Sequence, residues 1–231
     1  MRFYDLHVHT KNSTGKDSIE EIVSMTKKMD LTGLGIAKYF SKDMDFNWPE
    51  YKDLDIVKTV ILKPNNVDEL VEMANSCRNK AEVLMVYGGD YDVNRKACEL
   101  SMVDVLCHPE KGRKDSGLDH ICTREASKNN VAIEINFRSV LKTFKRKRVY
   151  ILESLKKNVF LCDKYNTPII TTSSAISKWD LRNGRQLSSL PHLLGMDLNM
   201  AVNSVSKVPE NIVSNNRKKL ENKKWEGVSV E

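Results

Sequence analysis

Apolar and β-branched residues gather into seven short runs, at 3–8, 33–37, 59–62, 83–87, 103–107, 131–135 and 169–172, separated by polar or glycine-containing stretches. Runs of that length fit buried strands. Between them, apolar positions recur at helical spacing over 17–29, 67–79, 93–101, 118–129 and a longer segment from about 142 to 165. Strands alternating with helices predict parallel strands joined by right-handed crossovers. The expected fold is therefore α/β and TIM-barrel-like, with about seven parallel strands ringed by helices. An open doubly wound sheet is the second choice, since no Gly-x-Gly-x-x-Gly follows the first strand. The last sixty or so residues read as helical. Pro209 suits a helix first turn, and Ile212, Val213 and Leu220 form a loosely amphipathic face before Lys223 and Lys224. One domain over 1–231 is expected, with a helical C-terminal segment at about 186–224 and a short frayed tail.

The length of 231 residues suits one barrel with a sizeable core. Charge is unevenly placed. Residues 1–110 carry 14 Lys/Arg against 19 Asp/Glu, a balance of −5, whereas residues 111–231 carry 23 against 12, a balance of +11. A polyanion would meet the second half, leaving the acidic half for a protein partner. The five cysteines, Cys77, Cys98, Cys107, Cys122 and Cys162, form no Cys-x-x-Cys pair and read as buried free thiols in a reducing compartment. No stretch approaches the ~20 apolar residues of a membrane span, so a cytoplasmic protein is expected.

Candidate chemistry sits at the predicted strand ends. Strict alternation puts Asp5, His7 and His9 on one face of the first strand, half of a divalent-metal site at a barrel mouth. The fifth strand supplies His108, and the sixth Glu134 and Asn136. The second ends in Lys38 and Tyr39, where an ammonium would oppose a cation, and the seventh offers only the hydroxyls of Thr172, Ser173 and Ser174. That ligand set is incomplete for hydrolysis. Glu134 is expected to be an interior acid paired with a neighbouring cation.

A second signal is basic. Residues 142–148, KTFKRKR, hold five cations and no acid, Lys142, Lys145, Arg146, Lys147 and Arg148, at a predicted helix start whose dipole disfavours them. Such a run points to a phosphate partner, with a solvated helix end as the plainer reading. Arg113 and Lys114 lie in the loop after His108, Arg138 follows the sixth strand, and Arg182 and Arg185 flank Asn183-Gly184. These ten cations are the candidate RNA contacts. Phe137 and Phe144, nearby, read as core or partial core rather than stacking platforms.

DLHVHT at 5–10, VDVLCHP at 103–109 and VAIEIN at 131–136 resemble weakened motifs of the PHP metal-dependent phosphoesterase superfamily, a barrel fold; its second-strand Asp-His and last-strand Asp-x-His are absent. This pattern of retention and loss is similar to the ribonuclease P protein component 3 family. YGGDYDVNRKACE at 87–99, VDVLCHPEKGRKDSGLDH at 103–120, VAIEINFRSVL at 131–141 and WDLRNGRQL at 179–187 carry the resemblance, which runs from residue 1 to about 220. Ser173-Ser174-Ala175 stands where that family usually has a Gly-containing turn. The resemblance implies a protein subunit of the ribonucleoprotein that removes 5′ leaders from precursor tRNA. Its partners would be the catalytic RNA, which requires its own Mg²⁺, and another protein subunit paired directly with this one, with no membrane. The chain would bind no metal itself, leaving His7, His9, His108 and Glu134 vestigial. The alternative is a stand-alone PHP-type phosphoesterase using those four residues around Mn²⁺ or Zn²⁺; a third reading is a protein-interaction scaffold without RNA contact.

Overall fold

The computed structural model describes residues 1–222. Seven parallel strands follow one another around the sheet in chain order: β1 (Tyr4–Val8), β2 (Gly33–Tyr39), β3 (Asp55–Leu62), β4 (Val83–Tyr87), β5 (Val105–Cys107), β6 (Ala132–Asn136) and β7 (Ile169–Thr172). The helices are α1 (Ile19–Lys28), α2 (Val67–Cys77), α3 (Tyr91–Glu99), α4 (His120–Asn129), α5 (Phe137–Leu141), α6 (Lys145–Lys164), α7 (Gly184–Leu193), α8 (Leu198–Asn203) and α9 (Lys207–Asn222). All seven expected strands form. The expected long helix from about 142 to 165 forms as α6, and a short α5 that the apolar pattern did not mark precedes it. Pro209 falls in the first turn of α9, where its missing N–H costs nothing. Lys223, Lys224 and the expected frayed tail lie outside the described residues.

The sheet curls into a nearly closed barrel. At the C-terminal ends, Val8 bridges Ala175, and His9 N–H donates to the Ala175 carbonyl at 2.8 Å. At the other end the segment between α8 and α9 fills the gap: Tyr4 N–H donates to Val205 O at 2.8 Å and Thr171 N–H to Ser204 O at 3.0 Å. Two apolar layers result. Ala37, Val57, Ile61, Val83, Met85, Val105, Ala132 and Ile170 pack inside the barrel, and Val213 of α9, with Val208 and Ile212, seals its base. Leu34, Val60, Leu84, Leu106 and Ile133 face outward against the helices. Alternation of small apolar residues on both faces is what a parallel sheet covered on both sides demands.

The strict alternation expected for β1 fails. Its register against β2 slips by one between Asp5 and Val8, so Tyr4 and Leu6 join the interior layer although His7 also points into the mouth. Gly35 permits the close approach, since a Cβ there would lie 2.3 Å from the Leu6 carbonyl oxygen.

Helix starts explain much of the loop sequence. Ser18, Asn66, Asp90, Asp119, Asn183 and Asp197 each accept backbone N–H bonds as N-caps. Asn94 then stitches two mouth loops together. Its Nδ2 donates to Pro109 O and Gly117 O, both at 2.9 Å, and its Oδ1 accepts from Gly89 N–H at 3.0 Å. Gly117, at φ +72°, has no room for a Cβ beside Pro109 O. The five cysteines are buried free thiols. Among the described residues no helix is long and apolar enough to cross a membrane. Asn94→Ala would orphan two buried carbonyls and one N–H, and is expected to cost about 2–3 kcal/mol, read as a lowered urea midpoint with unchanged m-value.

Candidate functional site

Glu134, wholly buried, stands at the centre of the barrel mouth. Its Oε1 accepts from His7 Nδ1 and Thr172 Oγ1, each at 2.6 Å, and its Oε2 accepts from Asn136 Nδ2 at 3.0 Å. Burial alone would raise its pKa, but the imidazoles of His7 and His108 and these donors outweigh it and hold the group down to about 2. The partner of this buried acid is thus a histidine imidazole rather than a Lys or Arg. Lys38 is not in the mouth: its ammonium donates to the carbonyls of Asp45 and Asn47 at 3.0 and 2.8 Å and covers the Trp48 ring.

The three strand-end histidines converge as their positions suggested. His7 Nε2 meets His9 Nε2 at 3.2 Å, and His9 Nδ1 lies 3.3 Å from Ser13 Oγ. The hydroxyl can donate or accept, so the relay is satisfied whichever nitrogen carries the shared proton. Burial pushes His9 down to about 3 and His108 down to about 4, keeping both neutral. Asp5 plays another part: its carboxylate accepts from the backbone N–H of His7 and Ser173, tying β1 to β7 rather than reaching the histidines, and burial raises it to about 6. Ser174 holds the following turn at φ +48°, the left-handed region that a glycine would enter more cheaply.

Two tyrosines and a glutamate to which the sequence reading gave no role complete the mouth. Tyr39 stacks on His9 with ring centroids 5.6 Å apart, and Tyr87 tilts against His108 at 5.0 Å. They end β2 and β4 at interior-facing positions, and that parity is the signal by which they could have been found. Glu110 is buried in the loop after β5, bonded to Ser139 Oγ at 3.3 Å through one oxygen and unpartnered at the other. Burial raises it to about 7.

The donor atoms of His7, His108 and Glu134 lie within 4.8 Å of one another, close enough to share one metal ion. His108 Nδ1 has no hydrogen-bond partner. Against that, both Glu134 oxygens and His7 Nδ1 already hold hydrogen bonds, and His7 and His9 meet through the very nitrogens a metal would take. An ion taken by His7 Nε2 would displace the His7–His9 contact, and a bridged pair of ions lacks its carboxylates. As arranged, the mouth is a hydrogen-bonded plug.

The ten candidate RNA-contacting cations all lie on loops or helices that follow β5, β6 and β7, but the structure divides them. Arg113 is bidentate to Asp115 at 2.6 and 2.9 Å. Arg138 pairs with Asp180 at 2.7 Å, Lys142 approaches the same acid at 3.8 Å, and Arg182 donates to the carbonyls of Trp179 and Leu181. Arg148 donates to Thr143 O at 2.6 Å. Lys114, Lys145, Arg146, Lys147 and Arg185 are exposed and form no ion pair among the described residues. Phe137 is partly buried under Arg182, in keeping with a core role, but Phe144 is 69% exposed, so its expected burial does not hold.

Fold and site together define a TIM-barrel-like α/β protein whose mouth is closed by its own histidine–carboxylate and histidine–histidine contacts. The chain belongs to the RNase P subunit p30 family, which it matches over residues 2–221. It is 36% identical over 230 residues to ribonuclease P protein component 3 of Methanococcoides burtonii, covering 99% of this chain and 93% of the relative. The same protein of Methanothermobacter thermautotrophicus is 31% identical over 222 residues, with coverages of 92% and 89%. A chain of an archaeal ribonuclease P solved with mature tRNA superposes with a TM-score of 0.78 at 25% identity, covering 97% of this chain and 96% of that one. Histidinol phosphate phosphatase of Lactococcus lactis, solved with zinc, gives a TM-score of 0.56 at 11% identity over 85% and 95% of the two chains, a likeness of fold alone.

Glu110→Gln tests the buried acid. In the folded state Glu110 is protonated below about pH 7, while unfolded it ionises from about 4.5, so the wild type loses stability as pH rises through that window. The amide keeps the Ser139 contact without ionising. The variant is expected to match wild type near pH 4 and to exceed it at pH 8 by on the order of 1–2 kcal/mol, measured by thermal unfolding at both pH values.

Proposed function

We propose that this chain is a protein subunit of ribonuclease P, the ribonucleoprotein endonuclease that removes 5′ leaders from precursor tRNA. Its match to that family runs almost end to end, and this observation carries the reading. The chain works with the catalytic RNA and pairs directly with another protein subunit, reaching precursor tRNA through the complex. It is not itself the catalyst, a reading supported by the way His7, His9 and Glu134 bond one another as a structural plug would. A stand-alone phosphoesterase is correspondingly disfavoured. The Mg²⁺ belongs to the RNA, and this chain holds no metal of its own. Five buried free thiols support a cytoplasmic setting.

The RNA contact rests first on the start of α6. Lys145, Arg146 and Lys147 lack acidic partners, and no acid lies in the first turn, where like charge opposes the helix dipole. Phosphate oxygens would relieve that repulsion. Lys114, in the loop after β5, and Arg185, at the start of α7, are the other exposed candidates without an ion pair among the described residues. Arg113, Arg138 and Arg182 fix the loops that carry it, with Lys142 and Arg148 shared between both roles.

Leader release from a precursor tRNA is expected to rise steeply when this chain joins the RNA and its partner protein at moderate Mg²⁺. Cleavage by the purified chain alone, abolished by His7→Ala and His9→Ala together, would overturn the accessory role. Dialysing the isolated chain against a strong chelator is expected to leave its melting temperature unchanged; a fall of several degrees would reveal a resident metal. Replacing Lys145, Arg146 and Lys147 with Gln is expected to lower the slope of log affinity against log salt by about 2, since each phosphate contact contributes about 0.7 to 0.9. Arg138→Gln is expected to leave the slope unchanged and to destabilise the fold instead.

A further inference from the structure

Every residue from Phe144 to Tyr150 is exposed, so α6 leaves the barrel with its first turns clear of protein on all sides. Three of those seven residues are large and apolar: Phe144 at 69%, Val149 at 52% and Tyr150 at 55% exposure. Packing does not explain them, since the buried side of α6 begins at Leu155 and continues through Val159 and Cys162. Neither does capping. Phe144 occupies the N-cap position but makes no side-chain cap bond, where seven other α-helices among the described residues use Ser, Asn or Asp. Lys145 follows at φ +52°, a left-handed turn for a residue with a full side chain.

Aromatic and cationic residues are interleaved here. Phe144 precedes the unpaired Lys145, Arg146 and Lys147, and Tyr150 lies one turn beyond Arg146 on the same helix face. Further along that face come Lys156, Lys157 and Phe160, the last 62% exposed, with Glu153 and Asp163 as its acids. Regular duplex RNA presents phosphates and ribose but hides its base faces. It would engage the cations and leave the aromatic rings in water. An unpaired segment engages both, its backbone on the Lys and Arg side chains and its bases on the rings.

Resting on the reading that the start of α6 contacts RNA, we infer that its target is an unpaired stretch of RNA whose bases stack on Phe144 and Tyr150. The charge of the patch selects a polyanion over a protein surface, and the rings select single-stranded over duplex structure. The contact is sequence-tolerant, because every base has a stackable face.

Two oligoribonucleotide probes test this on the full chain: an unstructured twelve-residue single strand carrying 2-aminopurine, and a duplex of equal length. Wild type is expected to bind the single strand more tightly, with a change in 2-aminopurine fluorescence on stacking. Phe144→Leu and Tyr150→Leu are each expected to weaken single-strand binding by roughly five-fold or more. They should leave duplex binding and the salt slope unchanged. Both side chains are exposed, and circular dichroism melts check that the variants fold. Equal losses on both probes, or none on either, would overturn the stacking inference while leaving backbone contact intact. The charge variant of Lys145, Arg146 and Lys147 separates the two levels: an unchanged salt slope with it would remove RNA from this face altogether. Loss of pairing with the partner protein in Phe144→Leu/Tyr150→Leu, with RNA binding retained, would make the face a protein interface and reject the inference.

Discussion

The buried carboxylate of Glu134 is the constraint around which the mouth of this barrel is arranged. An ionised group taken wholly out of water is costly unless donors surround it. The donors come from three strands: His7 from β1, Thr172 from β7 and Asn136 from β6 itself. Of these, β1 and β7 are the strands between which the barrel must close, and their main-chain contact is thin, an isolated bridge from Val8 to Ala175 with one adjoining hydrogen bond. Asp5 repeats the device one layer away by accepting Ser173 N–H across the same gap. Side-chain electrostatics therefore supply the seam that a continuous strand ladder would supply in a fully closed barrel.

Once the mouth is fixed this way, the surface around it is free to recognise something else. Loops after β5 to β7 are held by internal ion pairs, Arg113 with Asp115 and Arg138 with Asp180, and by the amides of Asn94 and Asn158 on facing carbonyls. These contacts give the exposed cations a rigid base. A rigid base lowers the entropy cost of engaging a polyanion at several points together. The chain thus keeps the place where barrels of this kind display chemistry, but uses it as a scaffold for charge.

Much of this was legible in the sequence, because strands buried on both faces produce short apolar runs whatever their neighbours, and all seven were marked. The convergence of His7, His9, His108 and Glu134 also followed from strand ends meeting at one mouth. What failed has definite physical causes. The register slip in β1 depends on close packing against Gly35, which alternation cannot express, so Asp5 was placed with the histidines. Ten cations looked alike because sequence spacing does not show which Asp faces which Arg across forty residues, as with Arg138 and Asp180. Phe144 was read as core because hydrophobicity is ordinarily burial; its exposure became visible only when α6 proved to start at Lys145 and to stand away from the barrel. Arg217, without meaning in the sequence, binds Asp55 and Glu82 beneath the barrel.

The strap at Ser204 and Val205 bears on how the molecule is made. Because its carbonyls accept from the N–H groups of both Tyr4 of β1 and Thr171 of β7, the wall begun at β1 is completed by a segment some two hundred positions later. During synthesis the strands can pair in order as they emerge, each with its predecessor. The gap between first and last stays open until α8 and α9 leave the ribosome, and only then can Val213 close the base. Folding of this barrel is in that sense a late event, with β1 waiting as an unsealed edge until the segment at Ser204 and Val205 has been made.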